Sequence, residues 1–189
     1  CYLPNKDQVI MLGTGVFQYL PCEDGNMPMA VAYRVDRKTG EVRQLTYEQD
    51  SDYTPTITHD GRVLFTRWEY SDQPHYWSRV LMTMNPDGSD QQEFYGSNSY
   101  WPNSMFYARP LPGSSTKFMA IVTGHHGVRR KGELMLFDVA KGRREADGAV
   151  QQLPGWGKPA NKRTVDRLVN NCKQFFLHPY PVSDEMAHL

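Results

Sequence analysis

The chain has 189 residues, enough for one domain with its own hydrophobic core. Its 21 basic and 21 acidic residues cancel, so no overall charge would recruit nucleic acid or an anionic membrane surface. No stretch approaches the roughly 20 apolar residues that a membrane-spanning helix needs. Aromatic residues make up 12% of the chain, and 15 glycines and 13 prolines are spread along it, which is typical of a folded, turn-rich, all-β protein.

The three cysteines, Cys1, Cys22 and Cys172, are far apart in the sequence. No CxxC spacing occurs, so this stretch has no zinc ribbon, thioredoxin-type redox pair or CxxCH haem attachment. The first and last residues, Cys1 and Leu189, each lie inside a predicted strand unit. We therefore expect the sequence to be an internal fragment of a longer protein.

Four stretches share one order of signals: a proline or turn residue, a polar bend and then an apolar run. They are "CYLPNKDQVIML" from residue 1, "TITHDGRVLFTR" from 56, "RPLPGSSTKFMAIV" from 109 and "YPVSDEMAHL" from 180. The bends fall at Asn5, Asp60, Gly113 and Asp184, in steps of 55, 53 and 71 residues. A fixed order of signals at a near-constant step indicates an internal repeat.

A second strand-like unit follows each of the first three stretches, and each contains a tight turn. The turns are built on Lys38-Thr39-Gly40, Pro86-Asp87-Gly88 and Lys141-Gly142. Glycine supplies the positive φ that such turns require, so each unit is predicted to be a hairpin.

Short strands repeated about every 50 residues predict a partial β-propeller: about three four-stranded antiparallel blades plus part of a fourth. The blade units are predicted at 1–54, 55–107 and 108–177, and the next unit starts at 178–189. The alternative is a sandwich of unrelated hairpins. The long third step is assigned to a loop insert over 154–172, with one short helix at 162–172 and almost no helix elsewhere. That loop could cover a ligand-binding face or be a surface decoration.

Several long motifs carry a family resemblance. The runs "DGRVLFTRWEYSD", "MNPDGSDQQEFYGSNSYWPNSMFYARPLPG", "IVTGHHG", "GELMLFDVAKGRREADG" and "FLHPYPVSD" resemble the propeller of hydrazine synthase α-subunit-like proteins, and the blade units also resemble TolB-like propellers. The resemblance covers nearly the whole chain. It implies a β-propeller and an extracytoplasmic, bacterial location, with c-type haem domains elsewhere in the longer chain.

The resemblance also implies a cofactor hypothesis for the full-length protein. In hydrazine synthase itself, the chemistry takes place at a haem held by CxxCH outside the propeller, with a nearby cysteine helping to bind zinc. We expect no cofactor within this sequence, and haem c or zinc in the full-length protein. Cys22 is the one cysteine in a loop position that could take the zinc-facing part. Because zinc needs about four ligands, an exposed or core thiol is the alternative.

The segment "TGHHG", residues 123–127, is the second metal candidate. His125 and His126 follow an apolar strand, and neutral imidazole is a common metal ligand. Adjacent side chains on a strand point to opposite faces, so both could bind one ion only if the backbone turns there. The alternative is one histidine hydrogen-bonded between blades and one in solvent.

Two aromatic segments are candidate ligand-binding sites. The first, "TRWEYSDQPHYW" at residues 66–77, supplies rings and charges on a strand-to-loop passage, although Arg67 and Glu69 could neutralise each other as a structural ion pair. The second, residues 95–110, is either a binding wall or a packed corner. The candidate ligand-binding residues are Arg67, Trp68, Glu69, His75, Trp101 and Arg109.

The leading functional hypothesis is a binding or scaffold module. Its partners would be other domains of the same chain or a protein partner, without nucleic acid and without a membrane span in this stretch. One alternative is a haem- or zinc-dependent redox enzyme whose catalytic segments lie outside the sequence. The other is a propeller that gates a hydrolase domain.

Overall fold

The computed structural model describes residues 1–5, 7–15, 18–20, 25–68, 79–124, 130–155, 175–183 and 187–188. Within these ranges the chain forms strands and turns and no helix, so the prediction of an all-β protein is confirmed. The predicted helix at 162–172, and the insert from residue 156 onward, lie outside the described residues.

Thirteen strands are present in the described part of the chain. They are β1 (Gln8–Gly13), β2 (Val31–Asp36), β3 (Val42–Gln44), β4 (Asp52–Ile57), β5 (Val63–Trp68), β6 (Arg79–Met84), β7 (Gln92–Tyr95), β8 (Ser104–Pro110), β9 (Lys117–Thr123), β10 (Glu133–Asp138), β11 (Ala149–Leu153), β12 (Tyr180–Pro181) and β13 (Ala187–His188).

These strands form consecutive antiparallel meanders. Strands β1 to β3 form the first sheet, pairing in chain order. Strands β4 to β11 form one eight-stranded sheet of two meanders, β4 to β7 and β8 to β11, which we call the second and third sheets. A parallel pairing of Arg79 with Ser104 is the ladder contact that joins the second sheet to the third. Strands β12 and β13 begin a further hairpin.

The sheets pack face to face because their middle strands are apolar on both sides. Val63 and Phe65 of β5 pack in one cluster with Ile10 and Ala32 of the first sheet. Leu64, between them, lies in a different cluster with residues of the third sheet. Alternate side chains of a strand point to opposite faces, so one strand serves two interfaces. Burying each such side chain contributes about 1.5–3 kcal/mol.

The third sheet repeats this arrangement. Phe118 and Val122 of β9 face the second sheet, whereas Met119 and Ile121 lie in a separate cluster against which Phe176 packs. The two faces of β9 therefore pack in different clusters, and the sheets follow one another in the order of the chain.

The first strands of successive units share a backbone irregularity. Thr54 in β4 has a φ of 49° and Tyr107 in β8 a φ of 53°, and the pairing register shifts at both places. His178, two residues before β12, has a φ of 54°. Non-glycine residues rarely adopt this left-handed conformation, so its recurrence marks equivalent positions in three units.

The predicted hairpin turns have the predicted backbone. Gly40 and Gly88 adopt φ values of 75° and 88°. They differ in their surroundings, because a Cβ on Gly88 would lie 3.1 Å from the carbonyl oxygen of Leu45, whereas a Cβ on Gly40 would meet nothing within 4 Å. The Gly88 turn therefore packs against the backbone that leads from the first sheet to the second.

This contrast gives a test of the packing between sheets. Gly88→Ala and Gly40→Ala both force alanine into a left-handed conformation, at about 1–2 kcal/mol each. Only Gly88→Ala adds a tight contact with the backbone of Leu45, so we expect it to lower the free energy of unfolding more than Gly40→Ala does. Urea unfolding of the two variants measures the difference, and equal losses would contradict the close contact at Leu45.

Candidate functional site

A cleft of about 290 Å³ opens where the first strands of three units meet. Thr56 of β4, Arg109 of β8 and Tyr180 of β12 line it at equivalent positions, each two residues after the left-handed residue of its unit. The other lining residues are Ile57, Thr58, His59, Pro110, Pro112 and Pro181. A polar group from each unit thus faces a shared space with several apolar proline rings.

Arg109 is the charged group of this cleft. Its side chain is half-buried, and burial lowers the pKa of the guanidinium, while Tyr180 raises it. An arginine stays charged under all ordinary conditions, so the cleft carries a partly desolvated positive charge. The side chain of Arg109 makes neither an ion pair nor a hydrogen bond with any other residue that the structure describes.

His59 fixes one wall of the cleft. Its Nε2 lies 2.7 Å from the carbonyl oxygen of Leu111. A carbonyl only accepts hydrogen bonds, so the Nε2 atom of His59 carries a proton and donates it to this bond. The contact ties the turn after β4 to the end of β8.

Arg67, a predicted ligand-binding residue, lies in a buried charge cluster elsewhere. Its guanidinium contacts the carboxylates of Glu48 at 3.1 Å and Asp52 at 3.3 Å, and donates to Gln91 Oε1 at 2.7 Å. Because Glu48 lies on the connection from the first sheet, the cluster joins that connection to the second sheet. Burial raises the pKa of Asp52 to about 6, although Arg67 pulls it in the opposite direction.

The two predicted tryptophans are also buried. Trp68 packs with Leu20, Met29 and Val31, and the guanidinium of Arg79 lies 4.5 Å from its ring. Trp101 is 2% exposed and lies in the cluster between the second and third sheets. Neither ring lines the Arg109 cleft, so the structure does not bring these residues together with Arg109.

The remaining predicted site residues, Cys22, Glu69, His75, His125 and His126, lie outside the described residues. Within the described ranges, no three His, Cys, Asp or Glu side chains are grouped so as to hold a metal ion. A metal role for Cys22, His125 and His126 stays a prediction.

A second cleft, of about 270 Å³, lies between the turns of the second and third sheets. Its arginines have partners within the protein. Arg62 contacts Asp90 and Asn85 at 2.8 Å, and Arg143 donates to the carbonyl of Phe94 at 3.0 Å. This cleft therefore differs from the first, whose arginine has no such partner.

Of the residues that line the cleft, Arg109 was predicted from the sequence, whereas Thr56, His59 and Tyr180 were not. The signal was present in the aligned bends: Thr56, Arg109 and Tyr180 each lie four residues before the bend of their unit. The repeat shows that these positions are equivalent in sequence. It does not show that the strands that carry them lie side by side, so the cleft could not be predicted from it.

The structure is similar to a chain of the Kuenenia stuttgartiensis hydrazine synthase, with a TM-score of 0.63 and 19% sequence identity. The match covers 95% of this chain and 24% of that chain, so the sequence spans about a quarter of the length of its structural relative. At this identity the likeness shows a shared β-rich fold. No protein-family profile and no curated protein matches the chain. In the part of the chain that the structure describes, no helix is long and apolar enough to cross a membrane.

The buried Asp52 predicts a pH-dependent stability. The pKa of Asp52 is raised from 3.8 to about 6 by burial. Its contribution to the free energy of unfolding is therefore fully present below pH 3.8 and is lost as the pH rises through about 6. We expect the free energy of unfolding of the native chain, relative to Asp52→Asn, to fall as the pH rises through this window. Urea unfolding at a series of pH values measures it.

Asp87→Asn is the matched control. Asp87 is exposed in a turn, and its hydrogen bonds with Ser89 lower its pKa, so its pH dependence lies below the window. The prediction would be contradicted if the free energy of unfolding of the native chain, relative to Asp52→Asn, stayed constant or rose with pH. Burial of the ionised Asp52 would then carry no cost in stability.

Proposed function

We propose that the chain is a section of a β-propeller that serves as a scaffold and binding module within a longer protein. One observation carries this proposal: β4, β8 and β12, the first strands of their units, contact one another in chain order and line one cleft. From that shared edge, the second and third sheets each continue through three further strands. Such an order is typical of blades around an axis.

The first sheet fits the same scheme. A bridge between Tyr2 and Val9 adds the start of the chain as a fourth member beside β1. In this proposal the second blade begins at Asp52, the third at Ser104 and the next at Tyr180.

Hydrogen bonds between consecutive sheets support a scaffold role. The hydroxyl of Tyr95 donates to the carbonyl of Glu145 at 2.8 Å and accepts from Gly148 N at 3.1 Å. The carboxylate of Glu145 in turn accepts from the amides of Tyr100 and Trp101. The bond from Gly148 is buried, and leaving a buried group without a partner costs about 1–3 kcal/mol, so this contact opposes sliding between the sheets.

The length of the structural relative supports the remaining part of the proposal. Because this chain matches 24% of the hydrazine synthase chain, the partners that we propose are other domains of one longer polypeptide. The extracytoplasmic location stays a prediction from the family resemblance.

Pulsed electron paramagnetic resonance distances test the radial arrangement. Spin labels at Asp60 and Pro112 report the separation of the inner turns, and labels at Gln92 and Gln151 report that of the outer strands β7 and β11. Neighbouring strands lie about 4.8 Å apart, so blades that diverge over three strands place the outer labels on the order of 10 Å farther apart than the inner ones.

The natural cysteines Cys1, Cys22 and Cys172 are replaced by serine in this experiment, and the unlabelled background serves as the control for folding. Equal inner and outer distances would indicate a stacked sandwich of sheets and would contradict the propeller.

A further inference from the structure

We propose that the cleft at Arg109 binds a small organic anion through its carboxylate group. This inference goes beyond the scaffold role and does not depend on ring closure, because the residues that form the cleft all lie on described strands and turns.

Arg109 differs from the two arginines, Arg67 and Arg62, that have carboxylate partners within the sheets. Arg67 has two carboxylates and an amide oxygen within reach, and Arg62 has Asp90. Arg109 is half-buried and has no such partner among the described residues. A partly desolvated charge without a counter-ion is unfavourable, and a bound anion would remove that cost.

The chemistry of the described lining also favours an anion. No aspartate or glutamate is among the described residues that line the cleft, so none of these residues offers Arg109 a carboxylate. Thr56 and Tyr180 carry hydroxyl groups, which donate hydrogen bonds to oxygen atoms. Burial lowers the pKa of Arg109, and an anion beside it would raise that pKa again.

The size and the lining of the cleft favour a small carboxylate. A guanidinium presents two parallel N–H groups that match the two oxygens of a carboxylate. The volume of about 290 Å³ lies at the lower limit of ligand pockets, which suits a ligand with few non-hydrogen atoms. Ile57, Pro110 and Pro181 provide apolar surface for a short hydrocarbon tail.

Nuclear magnetic resonance of the arginine side chains tests the proposal, with propionate as the probe. We expect the Nε–H signal of Arg109 to shift saturably as sodium propionate is added to the 189-residue chain. Propionamide, which is neutral and of the same shape, and sodium chloride at equal ionic strength should not produce this shift.

Variants identify the group responsible. Arg109→Gln should weaken binding about tenfold or more, because a charge-assisted hydrogen bond pair is lost. Arg109→Lys keeps the charge but not the fork and should bind less tightly than the native chain. Arg43→Gln is the matched control, since it removes an exposed arginine on β3 and should leave the affinity unchanged.

Two results would overturn the proposal. One is an Arg109 signal that responds equally to propionate, propionamide and chloride. The other is undiminished binding by Arg109→Gln, followed at the backbone amides of Ile57 and Tyr180. Should Arg109→Gln fail to fold, the native side-chain titration still decides, and the inner and outer spin-label distances report separately on the scaffold.

Discussion

Burial of both faces of the middle strands is the constraint on which the rest of the structure depends. Strand β5 is buried at all six of its positions, and β9 at six of its seven. A sheet with two apolar faces is unfavourable if either face is exposed to water, so it must pack between two neighbours. The sheets therefore pack against one another in the order in which the chain forms them.

The site follows from how the sheets meet at one edge. The left-handed residues Thr54 and Tyr107 bend the first strands at equivalent places, and the rings of Tyr107 and His178 contact each other with centroids 4.1 Å apart. Residues two positions later then face a shared cleft. Repetition of the fold thus places three chemically different side chains, a threonine, an arginine and a tyrosine, side by side without any local sequence motif.

Much of the fold could be predicted from the sequence, because turn glycines and alternating apolar residues are local signals. Gly40 and Gly88 have the backbone that their turns required. The partners of Arg67 could not be predicted, since Glu48 and Asp52 reach it only through packing between sheets. Trp101 could not be placed either, because an aromatic loop has the same composition whether it packs in a core or lines a surface.

Nuclear Overhauser contacts between methyl groups test the central claim most directly. If β5 packs between two sheets, neighbouring residues of β5 face different sheets. We expect contacts of Val63 with the group of Leu3 and Ile10, and of Leu64 with the group of Ala120 and Val122. Contacts of Leu64 with Ile10, or of both residues with one group, would show that β5 has one buried face and would contradict the account.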